Sequence, residues 1–143
     1  MGLTIYYTSM RSVTSEEADA VRAAANLANR GHSWLSSEAV HFFPGLSKGM
    51  LLGGSKPNFQ PDPNDERDAH RSGLPDGRPR DVIEILSRIS REHAIDWQLM
   101  HDFGPLGEIR DGVPSPGLVE QVEAIAGLRD AMDDLDLEGD DLP

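Results

Sequence analysis

The sequence predicts an α+β domain, and three observations support this. Residues 3–8 alternate between two sets of side chains as a strand does, residues 14–30 carry the signals of a capped helix, and residues 97–103 alternate again. Segments of both kinds within 143 residues, the usual size of one domain, predict a single core built from a sheet and helices.

The first strand and helix have the clearest local signals. In residues 3–8, Leu3, Ile5 and Tyr7 are expected to face one way, with a second tyrosine among the residues opposite. Thr14 and Glu17 have capping-box spacing, which predicts a helix to about Arg30 that ends at a left-handed Gly31. The expected inner stripe of this helix is small, with Leu27 beside it: Ala18, Val21, Ala25 and Ala28.

The middle of the chain predicts two further strands and a long loop. Residues 38–43 alternate, and Gly45 and Gly49 bracket a turn before the apolar run 50–52, which favours two strands joined by a short connection. Residues 53–80 show no apolar periodicity and contain five prolines and four glycines. We expect a polar loop there, far longer than the usual connection.

The last third predicts a helix, a hairpin and a final helix. Asp81 is expected to cap a helix whose inner face carries Val82, Ile85 or Leu86, Ile89 and His93. Residues 97–103 form a strand with Trp97, Leu99, His101 and Phe103 on one face. Residues 104–107 are expected to turn and 108–110 to return beside that strand. Ser115 followed by Pro116 is typical of a helix start, and the apolar positions that follow are Val119, Val122, Ile125, Ala126 and Met132.

The resulting element order predicts a ferredoxin-like topology. The order is β-α-β-β-α-β, followed by a short hairpin strand and a C-terminal helix, and its first six elements match the split βαβ arrangement. Strand 1 would then lie centrally, beside strands 3 and 4. We expect one domain over residues 1–128, with an acidic extension over 129–143.

Charge and composition exclude several classes of protein. The formal charge is −12, and six acidic residues within 133–141 leave −6 on the rest of the chain. Such acidity opposes binding to nucleic acids and to anionic membranes, both of which require clustered basic residues. The chain has no cysteine, no signal-peptide pattern at its start and no apolar run long enough to span a bilayer, so we expect a cytoplasmic protein.

The long loop contains the strongest candidate metal ligands. Oxygen ligands and one imidazole are concentrated there, at Asp62, Asp65, Glu66, Asp68 and His70, and hard cations prefer oxygen ligands. A calcium loop that begins at Asp62 would need glycine where Arg67 stands and an acid where Gly73 stands. A solvated polar loop therefore remains the favoured interpretation, and we expect no cofactor.

Three arginines at the end of the same loop form a candidate anion site. Arg71, Arg78 and Arg80 precede or open the second predicted helix, whose N-terminus attracts negative charge. They could hold a carboxylate or a phosphate group. Pairing with the acids of the loop itself is the simpler alternative.

These features favour a non-catalytic interaction or regulatory module, of inhibitor-like or immunity-like type, that binds a basic protein. The alternative is a small metal-assisted hydrolase or acid–base enzyme that uses residues 62–70, since long loops over rigid sheets often carry active sites. We also expect a homo-oligomer, most simply a homodimer, that pairs through an exposed sheet face or edge. The expected contact residues are Tyr6, Trp97, Leu99 and His101.

Overall fold

The computed structural model describes residues 4–34, 38–56, 74–102 and 104–124. Within these ranges the chain forms a mixed α+β fold, as the sequence predicts, and it consists of one five-stranded antiparallel sheet and three helices. The elements are β1 (Ile5–Ser9), α1 (Ser15–Asn29), β2 (Leu52–Ser55), α2 (Pro79–His93), β3 (Trp97–His101), β4 (Gly104–Arg110), β5 (Val113–Pro114) and α3 over residues 118–124.

The strand order is β2-β1-β3-β4-β5, and each neighbouring pair is antiparallel. This order differs from the predicted ferredoxin-like one. Residues 38–43 contribute no strand to the sheet, and β4 and β5 extend the sheet beyond β3. The domain is therefore α+β, but its topology is a sheet that grows by successive hairpins on one side.

The alternation predicted for β1 and β3 is present and places the core on one sheet face. Two side chains of each strand are fully buried, Ile5 and Tyr7 on β1 and Trp97 and Leu99 on β3. Tyr6, between Ile5 and Tyr7, is exposed. The same buried cluster includes side chains from all three helices, among them Val21, Leu86 and Leu118. The helices thus pack against the face that carries Tyr7 and Trp97.

Helix α1 begins as predicted and ends differently. Thr14 Oγ1 accepts a hydrogen bond from the Glu17 N–H (3.1 Å), and Glu17 Oε1 accepts one from the Thr14 N–H (3.0 Å). The prediction that the helix ends at a left-handed Gly31 is wrong. The cap residue is Arg30, with φ −68°, and Gly31 has no positive φ. Leu27 lies beside Ala28 of the inner stripe, since the two line one pocket, but 68% of its surface is exposed.

Residues 38–43 lie beside β2 but do not form the predicted strand. They make one isolated bridge, between Phe42 and Gly53, and side chains satisfy backbone groups that a ladder would otherwise pair. Gly53 permits this close approach, since a Cβ there would overlap the His41 carbonyl and the Tyr7 ring. The strand that follows begins at Leu52, after a bridge between Ser47 and Met50, rather than at residue 50.

Helix α2 begins two residues before the predicted cap. Arg78 is the N-cap and Pro79 takes the first helical position, which suits a residue that has no N–H to donate. Asp81 is the third helical residue, and its carboxylate accepts a hydrogen bond from the Arg78 N–H (2.8 Å). The predicted inner face is otherwise correct, with Val82, Ile85, Leu86 and Ile89 all buried.

The C-terminal hairpin is longer than predicted and the last helix starts later. Residues 104–107 belong to β4 instead of forming a turn, and a bulge between Leu99 and Met100 adjusts the pairing. Ser115 does not open a helix, because its N–H and its hydroxyl both bond to the backbone of Glu108. The helix begins after Gly117, which has φ +84°; the predicted apolar positions 125, 126 and 132 lie outside the described residues. Among the described helices, none has the length and apolar character required to cross a membrane.

Candidate functional site

The two candidate sites predicted from the long loop fall largely outside the described residues. Arg71 and all five candidate metal ligands, Asp62, Asp65, Glu66, Asp68 and His70, lie in the undescribed range 57–73. Arg78 and Arg80 are exposed at the start of α2, and Arg80 lies 4.0 Å from Glu123. The part of the chain that the structure describes contains no group of three or more side chains able to hold a metal ion.

A buried polar network surrounds Tyr7. The Tyr7 hydroxyl accepts a hydrogen bond from the His41 N–H (2.9 Å) and lies within donating distance of the His41 carbonyl (3.0 Å) and of Ser55 Oγ (2.9 Å). Ser55 Oγ donates to the Ala39 carbonyl (2.9 Å). Burial raises the pKa of Tyr7 to about 12, so the phenol stays protonated at neutral pH. This network holds residues 39–41 against the sheet and offers no accessible nucleophile.

A histidine–aspartate pair joins the end of α1 to the start of α2. His32 Nε2 lies 3.4 Å from Asp81 Oδ1, and both side chains are largely buried. The neighbouring Trp34 ring covers Gly77, where a Cβ would overlap the indole. His32 Nδ1 and Ser33 Oγ are buried without a hydrogen-bond partner among the described residues. His32 and Asp81 are 49 positions apart in the sequence, and no spacing in the sequence indicates that they meet.

The sheet face opposite the core carries an exposed apolar patch. This sheet-face patch consists of Tyr6, Phe43 and Met100, whose exposed fractions are 38%, 38% and 41%. Tyr6 lies directly opposite Met100 across the β1–β3 pair. Phe43 and Tyr6 flank Gly54, since the nearest atoms of both rings lie 3.4 Å from where its Cβ would stand. The three side chains are therefore neighbours on one continuous surface.

Polar groups border this patch. Asp102 Oδ1 accepts a hydrogen bond from the Tyr6 hydroxyl (3.2 Å), and Asp102 Oδ2 accepts one from the Thr4 N–H (3.0 Å). On the other side, the ring of His41 meets that of Phe43 edge-on, with 5.4 Å between centroids. His41 itself is oriented by its Nδ1, which lies 2.9 Å from the Gly54 carbonyl. An apolar centre with a polar border is typical of protein-binding surfaces.

The predicted interface residues divide between the two faces of the sheet. Tyr6 belongs to the sheet-face patch and His101 is half-buried at the end of β3. Trp97 and Leu99 have no exposed surface and face the helices, so they cannot contact a partner in this fold. Sequence reasoning did not single out Phe43 or Met100. Met100 could have been found, because the alternation of β3 places it on the outward face with an apolar side chain.

Comparison with known proteins identifies no relative of this chain. The chain matches no protein-family model, no curated protein and no solved structure. The function must therefore be inferred from the residues themselves.

Proposed function

We propose that the protein is a non-catalytic interaction or regulatory module, of inhibitor-like or immunity-like type, that binds a basic protein through the sheet-face patch. The observation that carries this proposal is the exposed cluster of Tyr6, Phe43 and Met100 on the face of the sheet that the core does not use. Exposed apolar clusters with a polar border mark interaction sites on many proteins.

The chemistry of the patch suits a protein partner. Aromatic residues and methionine are enriched in interfaces, and an aromatic ring buries a large area while fixing only two side-chain torsions. Tyr6 and Phe43 flank Gly54 closely, so their rings present one apolar surface to a partner. The thioether of Met100 adapts to different partner shapes.

The charge of the patch and of the chain favours a basic partner. Asp102 is held in place by Tyr6 and Thr4, and its carboxylate retains acceptor capacity for an arginine or lysine of the partner. A chain with formal charge −12 also attracts basic proteins over longer distances, which raises association rates at low salt. The same acidity opposes nucleic acids as partners, and we propose that the protein acts in the cytoplasm without a cofactor.

A pulldown with matched variants tests the proposal. The bait is the full chain at low and high salt, beside a patch variant with Phe43→Ser and Met100→Ser and a control variant, Val113→Ser, whose site on β5 is 64% exposed. We expect wild type and control to retain a basic protein at low salt, and the patch variant to lose it. Purified partner should then show at least a tenfold weaker Kd for the patch variant. Retention of no basic protein, or equal retention by all three baits, would contradict the proposal.

The alternative function, a metal-assisted hydrolase or acid–base enzyme that uses residues 62–70, predicts a different result. A cation that binds only the folded state raises the Tm. An increase in Tm with magnesium, manganese, calcium or zinc, abolished by Asp65→Asn together with His70→Ala, would favour that enzyme. An unchanged Tm with all four cations counts against it.

A further inference from the structure

Helix α1 is apolar on two sides. Ala18, Val21 and Ala25 face the core and are buried. A second apolar stripe, with the i, i+3, i+4, i+7 spacing of a helix face, runs along the solvent side: Ala20, Ala23, Ala24 and Leu27. We call these four residues the outer stripe. Ala20, Ala23 and Leu27 are exposed, and Leu27 has the largest exposed fraction, 68%, of the large apolar residues described.

A groove between α1 and α2 adjoins the outer stripe. The two helices run antiparallel, since His32 after α1 meets Asp81 at the start of α2, and Arg11 before α1 bonds to the carbonyls of His93 and Ala94 at its end. The groove has a volume of about 370 Å³. Its apolar lining includes Leu27, Ala28, Ile85 and Ile89, and the two isoleucines are nearly fully buried below it.

Two opposite charges border this groove on α2. Arg88 and Glu92 lie one helical turn apart and are both exposed. No ion pair joins them or links either to another described residue. Arginine before glutamate is the less favourable order for a pair within one helix. The groove is thus locally neutral, although the chain as a whole is acidic.

We propose that a second copy of this chain docks on the α1–α2 groove as a two-fold symmetric dimer. A two-fold axis that passes between Arg88 and Glu92 would place Arg88 of each copy opposite Glu92 of the other. One surface that is complementary to itself would thus form two ion pairs. The same operation inserts Leu27 of each copy into the groove of the other. The alanines of the outer stripe allow the helices to approach closely, as four-helix packing requires.

This surface is separate from the sheet-face patch, so the dimer and the proposed partner do not compete. The groove is bordered by one arginine and one glutamate, so its charge pattern is complementary to that of its own copy. The dimer can therefore be tested, and refuted, independently of the proposed function.

Sedimentation velocity over a range of concentrations tests the dimer. Wild type should sediment at twice the monomer mass of 15.6 kDa. Leu27→Glu should raise the dimer Kd on the order of 100-fold, because two leucines lose their burial. Its far-UV circular dichroism should match wild type, as the residue is exposed in the monomer. The control, Val113→Glu on β5, changes an exposed residue that does not line the groove and should remain dimeric.

Charge reversal provides a second test that does not depend on Leu27. Arg88→Glu should weaken the dimer about tenfold, and Arg88→Glu combined with Glu92→Arg should restore it, since the two-fold axis pairs the swapped charges again. A wild-type chain that is monomeric at all concentrations would overturn the proposal. A dimer that survives Leu27→Glu, or that the double reversal fails to restore, would overturn it as well.

Discussion

The regions at the two edges of the sheet are held together in different ways. At one edge, β3, β4 and β5 form a meander in which backbone hydrogen bonds join strands that are consecutive in the sequence. At the other edge, residues 38–43 are fixed beside β2 mostly by side chains from distant positions. Asn29 bonds to both the N–H and the carbonyl of Val40, and the Tyr7 hydroxyl does the same for His41, 34 residues away.

The difference shows how a segment can be ordered without becoming a strand. Buried backbone groups must be paired, but the partner need not be another backbone. Asn29, Tyr7 and Ser55 supply partners for residues 39–41, and β2 adds two backbone bonds, from the Gly54 N–H to the His41 carbonyl and from the Phe43 N–H to the Leu52 carbonyl. The meander depends on local chain geometry, whereas the 38–43 segment depends on a few specific polar atoms.

Trp97 is the side chain that both regions share, so its loss should have the largest effect. It lies on β3 and stacks on Phe42 of the other region, with 5.4 Å between ring centroids and a 25° interplanar angle. Trp97→Ala should lower the free energy of unfolding by about 3–5 kcal/mol, measured by urea denaturation. Met100→Ala, on the exposed face of the same strand, should cost about 1 kcal/mol or less. Equal losses in the two variants would show that Trp97 does not join the regions.

Tyr7→Phe should loosen the 38–43 segment while the meander keeps its order. The change removes the buried hydroxyl between His41 and Ser55 and leaves the His41 N–H without this partner, at a cost of about 1–3 kcal/mol. Hydrogen exchange should accelerate at His41 and remain slow at Leu99. Tyr6→Phe is the matched control, because within the described residues its hydroxyl bonds only to the exposed Asp102, and it should cost under about 0.5 kcal/mol. Uniform acceleration across both regions would contradict the proposed division.

The same division explains which parts of the fold the sequence predicts. The start of α1 and the outward and inward faces of β1 and β3 follow from neighbours in sequence, and they are correct. The alternation of residues 38–43 also predicts that Val40 and Phe42 are buried. It cannot predict that Tyr7 and Asn29 take the place of a strand ladder, because no local pattern reports hydrogen bonds between such distant residues.

The candidate surfaces were predictable only in part. The alternation of β1 exposes Tyr6, which the sequence assigns to an interface, but grouping it with Trp97 and Leu99 joined residues from opposite faces. The pair His32–Asp81 depends on the antiparallel packing of α1 and α2, which follows from the whole fold. The loop ligands at 62–70 remain a prediction.

Alkaline pH should destabilise the protein through Tyr7. Burial raises the pKa of Tyr7 to about 12 from 10 in the unfolded chain, so the protonated phenol favours the folded state. The contribution is complete below pH 10 and is lost as the pH rises through 12, for a total of about 2–3 kcal/mol. Tyr7→Phe should remove this part of the pH dependence, measured by urea denaturation from pH 9 to 12. Absorbance at 295 nm should show a tyrosine that ionises near pH 12 in wild type and is missing from Tyr7→Phe, and its persistence in the variant would refute the assignment.

The smallest expected effect belongs to the local contacts at the start of α1. Hydrogen bonds from the Arg11 guanidinium, and then from the Thr14 N–H, lower the pKa of Glu17 to about 2. The stabilisation is therefore present above about pH 4.5 and is lost as the pH falls through 2. Glu17→Gln should lower the Tm slightly at pH 7, and the gap to wild type should close near pH 2. Glu16→Gln removes a charge from the same turn but not the Arg11 contact, so a decrease as large as that of Glu17→Gln would show that the helix dipole, rather than this pair, accounts for the effect.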